Sequence, residues 1–362
     1  MTHLSGRAAA SGTGAFAKRF SSAFVPDFYR EAAGLTVSSI GMGTYLGECD
    51  DDEDARYTGV IEEGIASGLN LVDTAINYRC QRSERAAGRA LRNAVASGRA
   101  SRDELVVCTK AGYLALEGSP PGSREDYDAY LEKEYFSPGI MTRKDLIAGG
   151  HCITPGFLAN QIDRSRANLG IECIDIFYLH NPEQQLDSRD RGRFLETVTT
   201  AFSELESQVA RGSIGAYGCA TWNGFRTFAA NRNHLSLTEL VAAARKAGGA
   251  GHHFRAIQLP VNLAMTEAVR APTQSDDGRN TTVLELAREL QVSVIASASL
   301  MQAQLTRDLP AAVRTLFPSH GTDAQRAIAF VRSLPVASAL VGMRSVDHLT
   351  ENLEAGVAVA GA

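Results

Sequence analysis

Four polar residues stand at or just beyond the ends of largely apolar runs, and their types could carry proton transfer. Asp73 ends the run 69–72 and Tyr78 lies five residues later, Lys110 follows the run 105–109, and His180 follows the run 174–179. If these runs are successive parallel strands, their carboxyl ends share one face of the sheet. The four side chains would then converge although they are far apart in the sequence. We therefore expect an enzyme.

The chemistry follows from how these groups would act on each other. A phenol loses its proton only near about pH 10, so a catalytic tyrosine needs a nearby cation that stabilises phenolate. Lys110 can supply this cation, and Asp73 can hold the ammonium in a buried ion pair. His180 could donate a hydrogen bond to the oxygen of a bound carbonyl. Together they predict a proton donor with an oxyanion site, as the reduction of a carbonyl by hydride requires.

The elements that must position these residues alternate between strand and helix from about residue 35. Eight helical stretches follow eight strand candidates, a pattern that predicts a closed (β/α)8 barrel in one domain. An open doubly wound sheet is the rival, but no GxGxxG motif opens a helix after any strand. The predicted strands are residues 36–44, 70–73, 105–109, 173–179, 214–219, 254–259, 292–296 and 336–341. The predicted helices are 52–66, 84–96, 155–169, 193–210, 235–246, 282–290, 324–333 and 346–355.

Several segments depart from this repeat. We predict an N-terminal extension over residues 1–33 and the barrel over 34–362. Two interpretations of the extension remain open: a frayed start followed by a docking helix over 15–24, or a transit peptide. Residues 111–153 form either a lid over the pocket or an insertion packed on the barrel side. Residues 262–280 are expected to be mobile, and the histidine pair at 252–253 is expected to be solvated. The acidic run 50–54 is expected to begin a helix, where the helix dipole favours negative charge.

Composition limits the classes of partner. The chain has 362 residues, 44% of them hydrophobic and 21% charged, with a net charge of −5. It offers no overall basic field for nucleic acid and no apolar run of the roughly 18 residues that cross a membrane. The six cysteines form no CxxC pair, which predicts reduced thiols in a cytoplasmic protein. We expect a small carbonyl or alcohol as the partner, no metal, and leave the oligomeric state open.

Four short motifs give these residues a family context. The chain resembles the aldo-keto reductase superfamily from about Leu35 to Glu354, in the segments Gly41-Met42-Gly43-Thr44-Tyr45, Asp73-Thr74-Ala75-Ile76-Asn77-Tyr78, Cys108-Thr109-Lys110 and Tyr178-Leu179-His180-Asn181. The resemblance implies a (β/α)8 barrel with a nicotinamide cofactor across its carboxyl face. It also implies that Tyr78 is the general acid, that Lys110 and Asp73 tune it, and that His180 orients the carbonyl.

The same resemblance suggests which residues bind the cofactor. The positions that carry over are Gly43, Thr44, Tyr45, Asp73, Asn181, Gln258, Leu300, Glu351 and Asn352. Two positions depart from the family: Ala220-Thr221 replaces the usual Ser-Asn, leaving Thr221 as the candidate, and Ser297 replaces the tyrosine that stacks on the nicotinamide. In the turn after the last predicted strand, Arg344 is the main candidate to bind a 2′-phosphate, with Ser345 and His348 beside it. NADP(H) is favoured and NAD(H) is the alternative.

Substrate identity is not specified by these motifs. We expect pocket residues among those that follow strand ends, namely Tyr45, Tyr78, Tyr113, Leu114, His180, Asn181, Trp222 and Phe225. The main prediction is an oxidoreductase acting on an aldehyde, a ketone or the corresponding alcohol, including a sugar. Two alternatives remain open: a cofactor-binding sensor with little turnover, and an epimerase or lyase that retains its cofactor.

Overall fold

The structure, a computed structural model, describes residues 3–147 and 149–357 of the chain. The parts of the predicted segments that fall on residues 1, 2, 148 and 358–362 lie outside the described residues. The strands, in chain order, are β1 (Tyr29–Ala32), β2 (Leu35–Ser38), β3 (Ile40–Gly43), β4 (Leu71–Asp73), β5 (Val106–Ala111), β6 (Ile174–His180), β7 (Ile214–Ala220), β8 (Phe254–Pro260), β9 (Gln274–Asp276), β10 (Arg279–Thr281), β11 (Ser293–Ser297) and β12 (Ser338–Gly342).

Eight of these strands form a closed barrel of parallel strands in the order β3-β4-β5-β6-β7-β8-β11-β12. Each barrel strand overlaps a predicted one, so the predicted (β/α)8 barrel is confirmed and the doubly wound sheet is rejected. The prediction succeeds because barrel strands are covered on both faces and so appear in sequence as short, nearly continuous apolar runs. In β5, for example, every residue is buried.

Helices follow the barrel strands and surround them. They are α1 (Ala10–Phe20), α2 (Asp51–Ala66), α3 (Arg82–Ala96), α4 (Arg124–Leu131), α5 (Pro155–Leu169), α6 (Arg191–Ala210), α7 (Leu237–Gly248), α8 (Glu267–Arg270), α9 (Val283–Glu289), α10 (Ala311–Leu316), α11 (Asp323–Arg332) and α12 (Val346–Leu353). None of the helices in the described part of the chain is long and apolar enough to span a membrane.

Local signals explain where helices begin and end. The acidic run has the expected structural role, since the carboxylate of Asp50 accepts a hydrogen bond from the backbone of Glu53 at the start of α2. Proline stands at the start of α5, and Gly170 ends that helix with a φ of +66°. Thr154 precedes the proline as predicted, but its side chain makes no capping hydrogen bond.

The N-terminal segment is more ordered than predicted. The helix expected over 15–24 begins and ends earlier, at Ala10–Phe20, and residues 4–9 before it are held by hydrogen bonds to the barrel rather than frayed. The backbone amide of Leu4 donates to Gly170 O, and that of Ala9 donates to Asp103 O. Tertiary contacts therefore override the low helix propensity of this Gly- and Ser-rich sequence. The predicted strand 36–44 is also divided, because β2 pairs with β1 in an antiparallel hairpin at the amino end of the barrel.

The 111–153 connection has its own packed centre. It contains α4 and a π-helical turn (Glu132–Phe136), and the fully buried Tyr135 packs against Phe157 of α5. The hydroxyl groups of Tyr130 and Tyr135 both donate to Ala115 O at 2.8 Å. At its ends, Tyr113 and His151 form a bridge pair. The described part of this segment thus has the character of a packed insertion whose two ends reach the carboxyl face of the barrel.

Two segments expected to be mobile or solvated have specific partners in the structure. Residues 262–280 contain an antiparallel hairpin of β9 and β10, anchored by the buried Gln274, whose amide bonds the backbone of Leu235 and Leu237. The His252-His253 pair is not simply solvated. His252 is buried, and His253 bonds to Glu206 through its ring and its backbone amide. In both segments, side-chain partners distant in sequence stabilise residues that look polar and unstructured locally.

Candidate active site

Asp73, Tyr78, Lys110 and His180 lie together at the carboxyl face of the barrel. Asp73 and His180 are the last residues of β4 and β6, and Lys110 is on β5 between them. Tyr78 lies in the turn after β4. The parallel register places Asp73 beside Cys108, and Lys110 beside Tyr178. Neighbouring strands therefore bring the four side chains to one rim.

Lys110 and Asp73 form a buried ion pair. Lys110 Nζ lies 2.5 Å from Asp73 Oδ1 and 2.8 Å from Thr74 O. The other carboxylate oxygen of Asp73 accepts from Gln258 Nε2 at 2.8 Å. Burial lowers the pKa of Lys110, but the charge and hydrogen bond of Asp73, together with the neighbouring Tyr78 and Cys108, outweigh burial, so the net pKa lies above its ordinary value. Burial raises the pKa of Asp73, an effect that Lys110 and Gln258 partly oppose. The lysine therefore keeps its positive charge.

This ammonium faces the phenol of Tyr78. Lys110 Nζ lies 5.1 Å from the centroid of the Tyr78 ring. Burial raises the pKa of Tyr78, and the charge of Lys110 acts in the opposite direction. The centroid of the His180 ring lies 5.8 Å from that of Tyr78, and the centroid of Tyr45 lies at 5.0 Å. A phenol between an ammonium and an imidazole can exchange a proton with a bound oxygen.

His180 is electrically neutral in this environment. Burial lowers its pKa well below the ordinary value, and Lys110 and His151 lower it further. Its Nδ1 is buried and has no hydrogen-bond partner among the described residues. A neutral imidazole whose Nε2 carries the proton leaves Nδ1 as a lone pair, which is the less costly group to bury unpaired. His180 can then donate through Nε2.

The turn that carries Tyr78 is held in an unusual conformation. The next three residues, Arg79, Cys80 and Gln81, all have positive φ, at 48°, 53° and 72°. Such strain persists only where the surroundings over-determine it. Here Arg79 donates to Glu48 O at 2.7 Å and to the carboxylate of Asp54 at 2.8 Å. These contacts fix the backbone immediately after the tyrosine.

Several proposed cofactor residues line the same rim. Gly43 ends β3, Ser297 ends β11 and is half-buried, and Leu300 lies shortly after it. Thr44 is buried and donates to Asp73 O at 3.2 Å. Thr221, just after β7, is buried and its hydroxyl has no hydrogen-bond partner in the described structure. An unpaired buried hydroxyl at this place fits a ligand amide, so the residues present suit a nicotinamide.

The turn after β12 differs from a free phosphate site. Arg344 Nε and Nη2 each lie 2.5 Å from a carboxylate oxygen of the buried Glu53, so the two side chains form a bidentate ion pair. Ser345 caps α12 by accepting from His348 N, and His348 is exposed. Further along the helix, Asn352 is buried and Gln325 Nε2 donates to Glu351 O. The principal candidate for a 2′-phosphate is therefore already neutralised by a carboxylate.

Some of the predicted pocket residues lie at the mouth of the barrel, and others are buried in its hydrophobic core. Tyr45 and Trp222 are 56% and 43% exposed at the mouth of the barrel. The hydroxyl of Tyr113 accepts a hydrogen bond from Asn181 Nδ2 at 3.0 Å, and Asn181 has a φ of +49°. Phe225 is wrong as a pocket residue, because it is fully buried in the hydrophobic core, and Leu114 also packs into that core.

Sequence reasoning missed two buried polar residues near the site. Glu183 accepts hydrogen bonds from the backbone amides of Trp222, Asn223 and Gly224 through one carboxylate oxygen. His151 contacts the backbone of His180. Neither stands at or next to the last residue of a strand, where Asp73, Lys110 and His180 lie. The only sequence clue is that Glu183 lies three residues after His180.

Comparisons with known proteins agree with this architecture. The model of the aldo/keto reductase family matches residues 39–231, more than half of the chain. The chain is 30% identical over 196 residues to a D-threo-aldose 1-dehydrogenase of a Pseudomonas species, covering 52% of this chain and 51% of that protein. It is 23% identical over 190 residues to a 6-dehydroglucose reductase of Agrobacterium fabrum, covering 52% and 51%. The chain spans about half the length of the curated relatives it matches.

Solved structures show the same fold over nearly the whole chain. An aldo/keto reductase from Klebsiella pneumoniae in complex with NADP and acetate has a TM-score of 0.58 at 19% identity, covering 92% of each chain. An aldo-keto reductase from Bacillus halodurans in its holo form has a TM-score of 0.58 at 18% identity, covering 90% of each chain. With the family model matching over half of its length, the chain belongs to the aldo/keto reductase family.

Proposed function

We propose that this protein is a nicotinamide-dependent oxidoreductase that interconverts the carbonyl and the alcohol of an aldose-like substrate. One observation carries the proposal: the ammonium of Lys110, fixed 2.5 Å from Asp73, lies 5.1 Å from the Tyr78 ring centroid. The two curated relatives are named for chemistry on sugars, which favours a polyhydroxylated substrate. All six cysteines are free thiols, in keeping with the cytoplasmic location that we propose.

In this proposal the chain's own residues move the proton. Tyr78 gives its phenolic proton to the carbonyl oxygen during reduction, and takes it back during oxidation. Lys110 stabilises the phenolate that results, and Asp73 keeps the lysine charged and in place. His180 donates a hydrogen bond to the same oxygen and so fixes the orientation of the carbonyl. A nicotinamide held at this rim would supply or accept the hydride.

The residues proposed to hold the cofactor come from several loops of one rim. Thr221 and Asn181 would contact the carboxamide, while Glu351 and Asn352 would contact the adenine. NADP(H) is the favoured form because Arg344, Ser345 and His348 surround the turn after β12, with NAD(H) as the alternative. The ion pair between Arg344 and Glu53 weakens the argument for a 2′-phosphate, since the guanidinium must leave or share its carboxylate.

The test is an activity screen with two cofactors. Purified protein is incubated with NADPH or NADH and a panel of aldoses and simple aldehydes, and the oxidation of cofactor is followed by absorbance. We expect turnover with at least one aldose and its loss in Tyr78→Phe, with cofactor affinity retained. Tight cofactor binding without turnover on any substrate would favour the sensor. Cofactor that co-purifies and stays unconsumed while a sugar is rearranged would favour the epimerase or lyase.

A further inference from the structure

A second histidine, His151, holds the backbone of His180 from the insertion. It is fully buried near the end of the 111–153 segment. Its Nε2 lies 2.8 Å from His180 O, and its Nδ1 lies 2.7 Å from Gln185 Nε2. Arg189 Nη1 donates to Gln185 Oε1 at 2.5 Å. Three side chains and one backbone carbonyl thus form a continuous chain of hydrogen bonds.

The direction of every bond in this chain is determined. A guanidinium can only donate, so Arg189 fixes the amide oxygen of Gln185 toward itself and turns the amide nitrogen toward His151. That nitrogen donates, so His151 Nδ1 must accept and the ring proton resides on Nε2. Burial lowers the pKa of His151 to about 4. A neutral His151 therefore donates from Nε2 to the carbonyl of His180.

The local packing is built around this bond. A Cβ atom at Gly112 would lie 2.4 Å from His180 O and 2.7 Å from His151 Nε2, so a side chain there would displace both groups. The ring of Tyr113 stands edge-on to both histidines, with centroids 5.1 Å from His151 and 5.2 Å from His180. The strand side of His180 is held separately, because Asn181 N donates to Ala220 O.

We propose that His151 is a positioning residue that fixes the imidazole of His180 for carbonyl binding. The inference rests on the function proposed above. His180 ends β6, and on the β5 side of this strand the pairing stops one residue earlier, at Leu179. The bond from His151 replaces the missing support on one side. Through it, the packed insertion contributes to the reaction without touching the substrate.

The experiment compares His151→Leu, which removes the donor, with His151→Gln, which retains an amide donor. We expect His151→Leu to lower kcat by about 10- to 100-fold, as for a catalytic group displaced by a fraction of an ångström. The dissociation constants of the cofactors should stay within about twofold, because an undisturbed rim still binds them. His151→Gln should recover part of kcat. Gln185→Leu should show a smaller loss of the same kind, and the neighbouring Gln184→Leu should show none.

A second readout does not depend on turnover. In ¹⁵N-histidine NMR spectra, His151 should appear as the neutral Nε2–H tautomer at pH 7, and the ring signals of His180 should shift in His151→Leu. Unchanged kcat and unchanged His180 signals in a folded His151→Leu protein would overturn the inference. Wild-type protein that turns over no substrate would instead defeat the proposed function, while the His180 signals would still decide whether His151 positions that ring.

Discussion

Replacing Lys110 by methionine removes the cation opposite Tyr78 while keeping the length of the side chain. Lys110 Nζ lies 5.1 Å from the centroid of the Tyr78 ring. A unit charge at about this distance, at an effective dielectric constant of about 20, is worth about 3 kcal/mol to the phenolate. This energy corresponds to about a hundredfold in rate when proton transfer limits turnover. We therefore expect Lys110→Met to lower kcat by about a hundredfold.

The pH profile gives the sign of the effect. Lys110 lowers the pKa of Tyr78, so its loss raises that pKa. Oxidation of an alcohol requires phenolate as the base, so the rise of its rate on the acidic side of the profile should move to higher pH. Steady-state rates in both directions between pH 6 and 10 measure this shift. Lys133→Met, at a side chain that is 83% exposed, is the matched control and should leave the profile unchanged.

Stability must be separated from catalysis in this variant. Lys110→Met leaves the Asp73 carboxylate buried without its partner, which should lower the free energy of unfolding by about 3–5 kcal/mol. The double variant Lys110→Met with Asp73→Asn should recover most of this stability in urea titrations, yet stay slow. A double variant with wild-type kcat and an unshifted pH profile would refute the assigned role of the ammonium.

Three further predictions concern residues around the rim and one helix end. Burial raises the pKa of Glu183 from 4.5 to about 7, so its contribution to folding is fully present below about pH 4.5 and is lost, by about 3 kcal/mol, as the pH rises through 7. Unfolding free energies of wild type and Glu183→Gln should diverge over this range, and a constant difference would contradict the assignment. Glu53→Gln should release Arg344 and strengthen NADPH binding relative to NADH by about tenfold in calorimetric titrations, whereas the exposed Asp52→Asn should not. Gly170→Ala should cost about 1–2 kcal/mol in urea unfolding, because φ is +66° there and the new Cβ would also displace the end of the Arg92 side chain. Gly192→Ala within α6 should be neutral or stabilising, and equal effects of the two changes would contradict this reasoning.

The barrel itself could be predicted from the sequence because its signal is local. Each barrel strand is a short apolar run bounded by turn residues, and α2 and α5 have their own capping residues. Burial on both faces enforces that pattern wherever a strand of this kind occurs. The extra elements lack such a signal. Helix α1 and the hairpin of β9 and β10 are polar or small-residue segments that only their distant partners make stable.

The positions of the four polar residues at the strand ends could also be predicted, because they too depend on a local sequence pattern. Parallel strands point their carboxyl ends to one rim, so sequence position along each strand determines which side chains converge. The contacts that determine the charge and orientation of the site residues could not be predicted in this way, because they join residues far apart in the sequence. Glu53 pairs with Arg344 from the other end of the chain, and His151 reaches His180 only because the insertion folds back on itself. Which loops meet depends on the closure of the whole barrel.

The sequence by itself determined the succession of strands and helices and the residues that stand at the strand ends, since hydrophobic periodicity is a property of neighbouring residues. Only the tertiary structure decided which charges are already paired, which histidine nitrogen carries a proton, and where burial shifts a pKa. Those properties depend on distances of a few ångströms between residues from separate loops, and on the removal of water from around them. These distances and this exclusion of water are established only when the chain has folded.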